Sequence, residues 1–256
     1  MQEPCFHNIE QYLSARLDCD LTQVKPGQPC VVETPRRLQC EPSYDDIRAL
    51  WWLELSDGRS VISVPPGAGD EVRHIIGEMP SSEPFGGQAV LKHLQDAINR
   101  VLAQQDIKAV QRVFSTTVLA CNATLLRRHE HGECRRLFDA SLPTADGFNW
   151  PPYTFLEGIL YGVIVDGKVV AVATARPTGV LEDRVVDIGI VTASAYQRKG
   201  YAKTAVSAIT EHIIQAGGEA VYFVRPENQA SVATARSVGF VEYGASLTMR
   251  ASMHKE

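Results

Sequence analysis

Between Gln197 and Thr204 the chain reads Gln-Arg-Lys-Gly-Tyr-Ala-Lys-Thr, a glycine set among the cations Arg198, Lys199 and Lys203. These residue types in this order suit an anion. A helix opening at Tyr201 leaves its first amides without intrahelical acceptors, and its dipole adds partial positive charge there. Gly200 lets a ligand approach the backbone closely, and a pyrophosphate fits such a turn best. The plainer reading is a strand-to-helix turn with a solvated basic patch, and the octapeptide alone does not choose between them. A second cluster, Arg127-Arg128-His129-Glu130-His131-Gly132-Glu133-Cys134-Arg135-Arg136, places His129, His131 and Cys134 at metal-like spacing. Structural zinc needs a fourth ligand, often from a cysteine pair, and no such partner is present in the sequence. The segment therefore reads as a polar loop or part of a substrate cleft, with no metal expected. Trp51-Trp52 could line a pocket, although alternation along a strand accounts for the burial of at least one.

The elements around the octapeptide must position it. The span 185–192 reads as a strand and 201–215 as a helix, with Ala205, Ile209, His212 and Ile213 on one face and Gly217-Gly218 as its stop. A short strand at 219–224 and a short helix at 229–238, ended by Gly239, follow. The span 240–250 reads as one or two strands. A helix crossing between 185–192 and 220–224 requires those strands to be parallel and neighbouring. Upstream, 156–165 and 169–176 form a hairpin through Asp166-Gly167-Lys168. Earlier still, Asp57-Gly58 between two apolar runs predicts another hairpin. Helices are expected at 9–17, 70–76 and 88–102, the last from Val90, Leu91, Leu94, Ile98, Val101 and Leu102, and a strand at 110–120. The segment 142–152, with Pro143, Gly147, Pro151 and Pro152, is the best boundary in the chain.

Composition bounds what these elements serve. The 256 residues are 45% hydrophobic and 21% charged, with a mean hydropathy of −0.11, which excludes a disordered, collagen-like or coiled-coil protein. A formal charge of −5 argues against a nucleic-acid binder. No apolar run approaches the roughly 18–20 residues of a membrane span, and the N-terminus does not read as a signal peptide. The six cysteines, Cys5, Cys19, Cys30, Cys40, Cys121 and Cys134, are scattered and read as reduced thiols of a cytoplasmic protein.

The order of strand, Gln197-x-x-Gly200-x-Ala202, helix, strand, Asn228-x-x-Ser231, helix and Gly239-Phe240 closely resembles the GNAT superfamily of N-acetyltransferases. The resemblance covers about 156–249 and is closest to the branch whose members often carry an extra N-terminal lobe. It implies an acyl-CoA N-acyltransferase fold, a mixed α/β sheet, and acetyl-CoA as cofactor with CoA as product. Carried over by position, Ile190, Val191 and Thr192 at the strand end would pair with the pantetheine arm. The amides of Arg198, Lys199, Gly200, Tyr201, Ala202 and Lys203, with the Thr204 hydroxyl, would hold the pyrophosphate, and Gln197 completes the motif. Asn228 and Ser231 would contact the pantetheine; capping the last helix is their other reading.

The implied chemistry is direct attack of a primary amine on the thioester, with a base to deprotonate the ammonium and an acid for the leaving thiolate. Here the chain departs from the family. Seven residues after the Asn, where many members place a tyrosine acid, it has Ala235. Tyr196, Tyr201, Tyr222 and Ser231 are the nearest hydroxyls in sequence, and unassisted departure is the other route. The base position often held by Glu is Val186, so Asp187, Glu182, Asp183 and Glu157 are the candidates, and an exposed acidic turn is the plainer reading of Asp183. Asp187, Glu182 and Ser231 are the expected catalytic residues.

The chain thus reads as two lobes. Residues 1–145 form an α+β lobe laid out like a degenerate copy of the same fold, covering the amine side of the cleft and setting specificity. Residues 146–256 form the acetyl-CoA-binding domain. The expected activity is acetylation of a small-molecule amine by a cytoplasmic monomer or homodimer without nucleic-acid or membrane partners. The alternatives are a non-catalytic acyl-CoA-binding regulatory module and a GNAT-fold enzyme using other acyl-CoA chemistry.

Overall fold

The computed structural model describes residues 5–41, 46–79, 84–138, 141–148, 158–177 and 184–253. The chain divides into two compact units. One comprises residues 1–12 and 117–243, the other 13–116 and 244–256. The boundary thus falls inside helix α1 (His7–Leu17) and strands β4 (Arg112–Cys121) and β10 (Val241–Ser252), whereas the sequence reading drew it at 145/146. The described part of the proline-rich segment is packed: Ala145 N–H donates to Val169 O at 3.0 Å, Val169 N–H donates to Pro143 O at 2.8 Å, and Phe148 is buried.

In the first unit the strand order is β4, β9 (Glu219–Val224), β8 (Val185–Thr192), β7 (Lys168–Pro177), β6 (Ile159–Val165), β5 (Glu133–Leu137). β6 and β7 form the expected hairpin, whose turn needs positive φ at Asp166 (50°) and Gly167 (74°). β8 and β9 are parallel neighbours joined through helix α4 (Tyr201–Gln215), as the crossover rule requires. α4 packs against β6–β9 by burying Ala205, Val206, Ile209 and Ile213. Helix α5 (Gln229–Val238) packs on α4 and β9 and ends at Gly239, φ 109°. β5 is a strand that the sequence reading missed, because Glu-Cys-Arg-Arg-Leu lacks the β-branched residues that mark strands; as the edge strand it keeps charges in solvent.

In the second unit the order is β1 (Cys30–Glu33), β3 (Ser60–Val64), β2 (Asp46–Leu55), β10. β2 and β3 pair across the Asp57-Gly58 turn, with Gly58 at φ 84°. α2 (Gly69–Gly77) and α3 (Gly87–Gln104) pack together, α3 burying its predicted stripe except Leu91, which is half-buried. β2 is buried along almost its whole length, so both tryptophans are fully enclosed. Trp52 donates to Ser60 Oγ at 2.9 Å and meets Phe85 edge-on, while the Arg48 guanidinium lies 4.4 Å from the Trp51 ring centre. The last strand is single, with a register shift between Met249 and Arg250.

Candidate functional site

The site of the first unit begins where two parallel strands part. β8 and β9 pair only at Val185↔Glu219, Val186↔Ala220 and Asp187↔Val221. Beyond that point β8 continues to pair with β7 as far as Thr192, so among the described residues its other edge, 188–192, has no strand partner. That edge presents peptide N–H and C=O groups, which an extended ligand can bond as a strand would. Asp187 stands at the fork. Its Oδ1 accepts the Phe223 N–H at 3.4 Å, a side chain bridging the strands just past the end of the ladder. Beside it, Tyr222 is buried edge-on against Phe240, with the Ser231 side chain near its hydroxyl. Burial pushes the Tyr222 phenol up to about 12, with the neighbouring Ser231 side chain opposing it and nearby Asp187 acting in the same sense as burial. The phenol is therefore protonated at neutral pH.

At the end of β8 the chain turns through Ser194–Tyr196 and two left-handed residues, Arg198 (φ 61°) and Gly200 (φ 89°), into α4. Gly200 is the N-cap and no side chain caps the helix, which leaves the first amides to a ligand or water. A Cβ at Gly200 would meet only the His131 ring, at 3.6 Å, so the space over the turn is open. Gln197 Nε2 donates to Thr192 O at 3.4 Å and ties the turn to the strand end. Thr204, one turn into α4, is 3% exposed, and its Oγ1 is buried without a hydrogen-bond partner. The Lys199 ammonium lies 5.0 Å from the Tyr196 ring centre. An uncapped helix start, an open glycine, cations and an orphan hydroxyl together fit a phosphate-bearing ligand.

The structure thus brings Ile190, Val191 and Thr192, on the unpaired edge, next to Gln197, Arg198, Lys199 and Gly200 in the turn and Tyr201, Ala202, Lys203 and Thr204 in the first turn of α4. Asn228 takes its capping role: its Oδ1 accepts the Ser231 N–H at 3.2 Å as N-cap of α5. Glu182, Asp183 and Glu157 lie outside the described residues. Ala235 is fully buried, so a tyrosine at that position would have no room.

The Arg127–Arg136 cluster, read as a polar loop or part of a substrate cleft, divides in two, which corrects the first of those alternatives. Its second half is β5. Its first half threads between the helices: Arg127 N–H donates to Val238 O at 2.7 Å, His129 N–H to Ser207 Oγ at 3.0 Å, and the His129 ring to Ser237 O at 2.9 Å. Among the described residues no group of three or more His, Cys, Asp and Glu is placed to hold a metal ion. No helix of the described residues is long and apolar enough to cross a membrane. Two features escaped the sequence reading: the Tyr222–Ser231 pairing and the approach of His131 to Gly200. Neither has a local signal, since each joins segments separated in the chain.

Residues 125–240 match the family model described as "Acetyltransferase (GNAT) family". A search of the curated proteins returns no match. Among solved structures, the chain is similar to a candidate GNAT acetyltransferase from Novosphingobium aromaticivorans. The identity is 18% over 57% of this chain and 67% of that one, with a TM-score of 0.46. A GNAT-family acetyltransferase from Colwellia psychrerythraea is 17% identical over 61% of this chain and 63% of its own, at 0.44. A Drosophila protein is 12% identical over 97% of this chain and 90% of its own, at 0.49.

Proposed function

Because residues 125–240 make up a GNAT-family acetyltransferase domain, we propose that this chain transfers an acetyl group from acetyl-CoA to the primary amine of a small molecule by direct attack. The observation that carries the reading is the fork of β8 and β9 opening beside the uncapped Gly200 turn. Together they supply an extended groove that ends at an anion cradle. The residues present fit the cofactor. The edge 188–192 would hold the pantetheine, the first-turn amides and Thr204 Oγ1 the pyrophosphate. Acetyl-CoA, when bound, supplies the thioester carbon that the amine attacks.

The remaining steps belong to the chain. Asp187 is the described carboxylate at the fork and takes the proton that frees the amine lone pair, with Glu182 the other candidate. Backbone N–H groups at the end of β8 favour the developing oxyanion. Ser231 relays to the departing thiolate the proton that it takes from the adjacent Tyr222 phenol, which regains one from solvent, in place of the absent tyrosine at 235. The fully buried Ala235 also favours a second reading, an acyl-CoA-binding regulatory module without turnover.

Calorimetric titration of acetyl-CoA into wild type and Gly200→Glu tests the cofactor site. The added carboxylate meets the cradle with bulk, like charge and a backbone at φ 89°, so binding should be lost in the variant. Wild type that binds neither acetyl-CoA nor CoA overturns the reading. Thiol release against a panel of amines then separates the enzyme from the regulatory module.

A further inference from the structure

The basic segment ahead of β5 is the motif that the proposed function leaves unused, and one of its side chains reaches the cofactor turn. His131 is stacked on Tyr201, with ring centres 5.1 Å apart and planes at 29°. A Cβ on Gly200 would sit 3.6 Å from His131 Cδ2. Gly132, at φ 83°, carries the backbone past the same stack: a Cβ there would stand 3.6 Å from the Tyr201 ring and 3.5 Å from Val163 of β6. The imidazole is thereby fixed as a wall of the open space over Gly200, and it is exposed, so its ring nitrogens remain accessible.

The groups packed around it come from α4, β6 and its own segment. From α4 it meets Tyr201, behind which Tyr196 lies tilted at 6.1 Å with Lys199 above it. From β6 the neighbour of the adjoining Gly132 is Val163. On its own segment Glu133 pairs with Arg135 at 3.8 Å and Glu130 is exposed. Among the described residues no carboxylate forms an ion pair with His131.

We propose that His131 is a further binding residue for the anionic end of the cofactor and makes cofactor affinity depend on pH. Protonated, it gives a charge-assisted hydrogen bond to a phosphate oxygen above Gly200. Neutral, it keeps the stack on Tyr201 and loses the charge. The inference rests on the assignment of the Gly200 turn as the pyrophosphate site.

The test is calorimetric titration of dephospho-CoA at constant ionic strength from pH 5.5 to 8. This ligand lacks the titrating phosphate monoester of CoA, and its pyrophosphate keeps its charge across the range. Wild type should bind about tenfold more tightly at pH 5.5 than at pH 8, the difference of one charge-assisted contact. His131→Phe, which preserves an aromatic stack, should bind with one affinity throughout, close to wild type at pH 8. His131→Lys, with a fixed charge, should stay tight across the range. A flat wild-type profile, or the wild-type slope persisting in His131→Phe, overturns the role of His131. No binding by any form at any pH overturns the cofactor site itself, and the inference with it.

Discussion

Asp187 can hold the fork together, serve as base, or do both, and one substitution separates these duties. Asn in its place still offers an oxygen to the Phe223 N–H but cannot take a proton. Asp187→Asn should therefore keep the thermal midpoint within about 2 °C while kcat falls by about 100-fold or more. An unchanged kcat would move the base elsewhere, to Glu182 first. Tyr222 acts through Ser231, so Tyr222→Phe, which leaves the ring against Phe240, should lower kcat about tenfold and leave the KM for acetyl-CoA within twofold. A shift in KM with kcat intact would reduce the pair to packing. Tyrosine placed at 235 should not restore an acid. That site is fully enclosed, and overpacking there costs about 1–3 kcal/mol.

At the scale of elements, a cap and an anchored N-terminal stretch hold helices of the first unit in place. Asn228 caps α5, and Asn228→Ala should cost about 1 kcal/mol in a urea unfolding series, with Asn228→Asp recovering most of it. The N-terminal stretch is anchored in the same unit: Glu219 on β9 accepts the Ile9 N–H at 3.0 Å, Phe6 meets Tyr243 edge-on, and Asn122 Nδ2 donates to Cys5 O at 3.0 Å. Burial holds the Glu219 carboxyl above its ordinary value, against the α1 amides that favour its charge. Glu219→Ala should accordingly speed amide exchange at the start of α1 before it affects β8 or α4. Simultaneous loss of protection in all three would mean that α1 opens only with the whole unit.

At the scale of the whole molecule, the second unit depends on a buried ionic network drawn from distant stretches of chain. Glu41 pairs with Arg16, with Arg48 at 3.2 Å and with Arg250 at 2.5 Å; Arg250 also pairs with Asp46. Burial alone would raise the Glu41 carboxyl, but Arg48, Arg16 and Arg250 outweigh it and hold it at about 2. Its folded value lies below its unfolded one, so its contribution of about 3 kcal/mol is complete above about pH 4.5 and is lost as pH falls toward 2. Denaturant midpoints at pH 7, 4 and 3 should show that decline in wild type and a shallower one in Glu41→Gln. The variant should already be weaker at pH 7 by about 3–5 kcal/mol, because three guanidiniums lose their shared counter-charge. Equal acid slopes in the two proteins would place the acid sensitivity elsewhere.

The sequence by itself determined the helices and most strands, because hydrophobic period, Asp-Gly turns and helix-ending glycines are local signals that neighbouring residues carry together. It also marked the turn into α4, since Gln-Arg-Lys-Gly-Tyr-Ala-Lys-Thr carries its glycine and its cations within eight residues, but those residues alone suit a solvated basic patch as well as an anion. The parallel pairing of β8 and β9 followed from handedness, but not that it stops at Asp187↔Val221, which depends on twist and on side chains from both strands. Strand β5 was hidden because an edge strand is held by backbone pairing with β6 rather than by its own apolar pattern. The division of the chain inside α1, β4 and β10 was likewise decided in three dimensions, since a compact unit is defined by contacts while the sequence marks only turns. The placing of His131 over Gly200 and of Arg16, Arg48 and Arg250 around Glu41 belongs to the tertiary structure for the same reason: only folding brings such distant residues within bonding range.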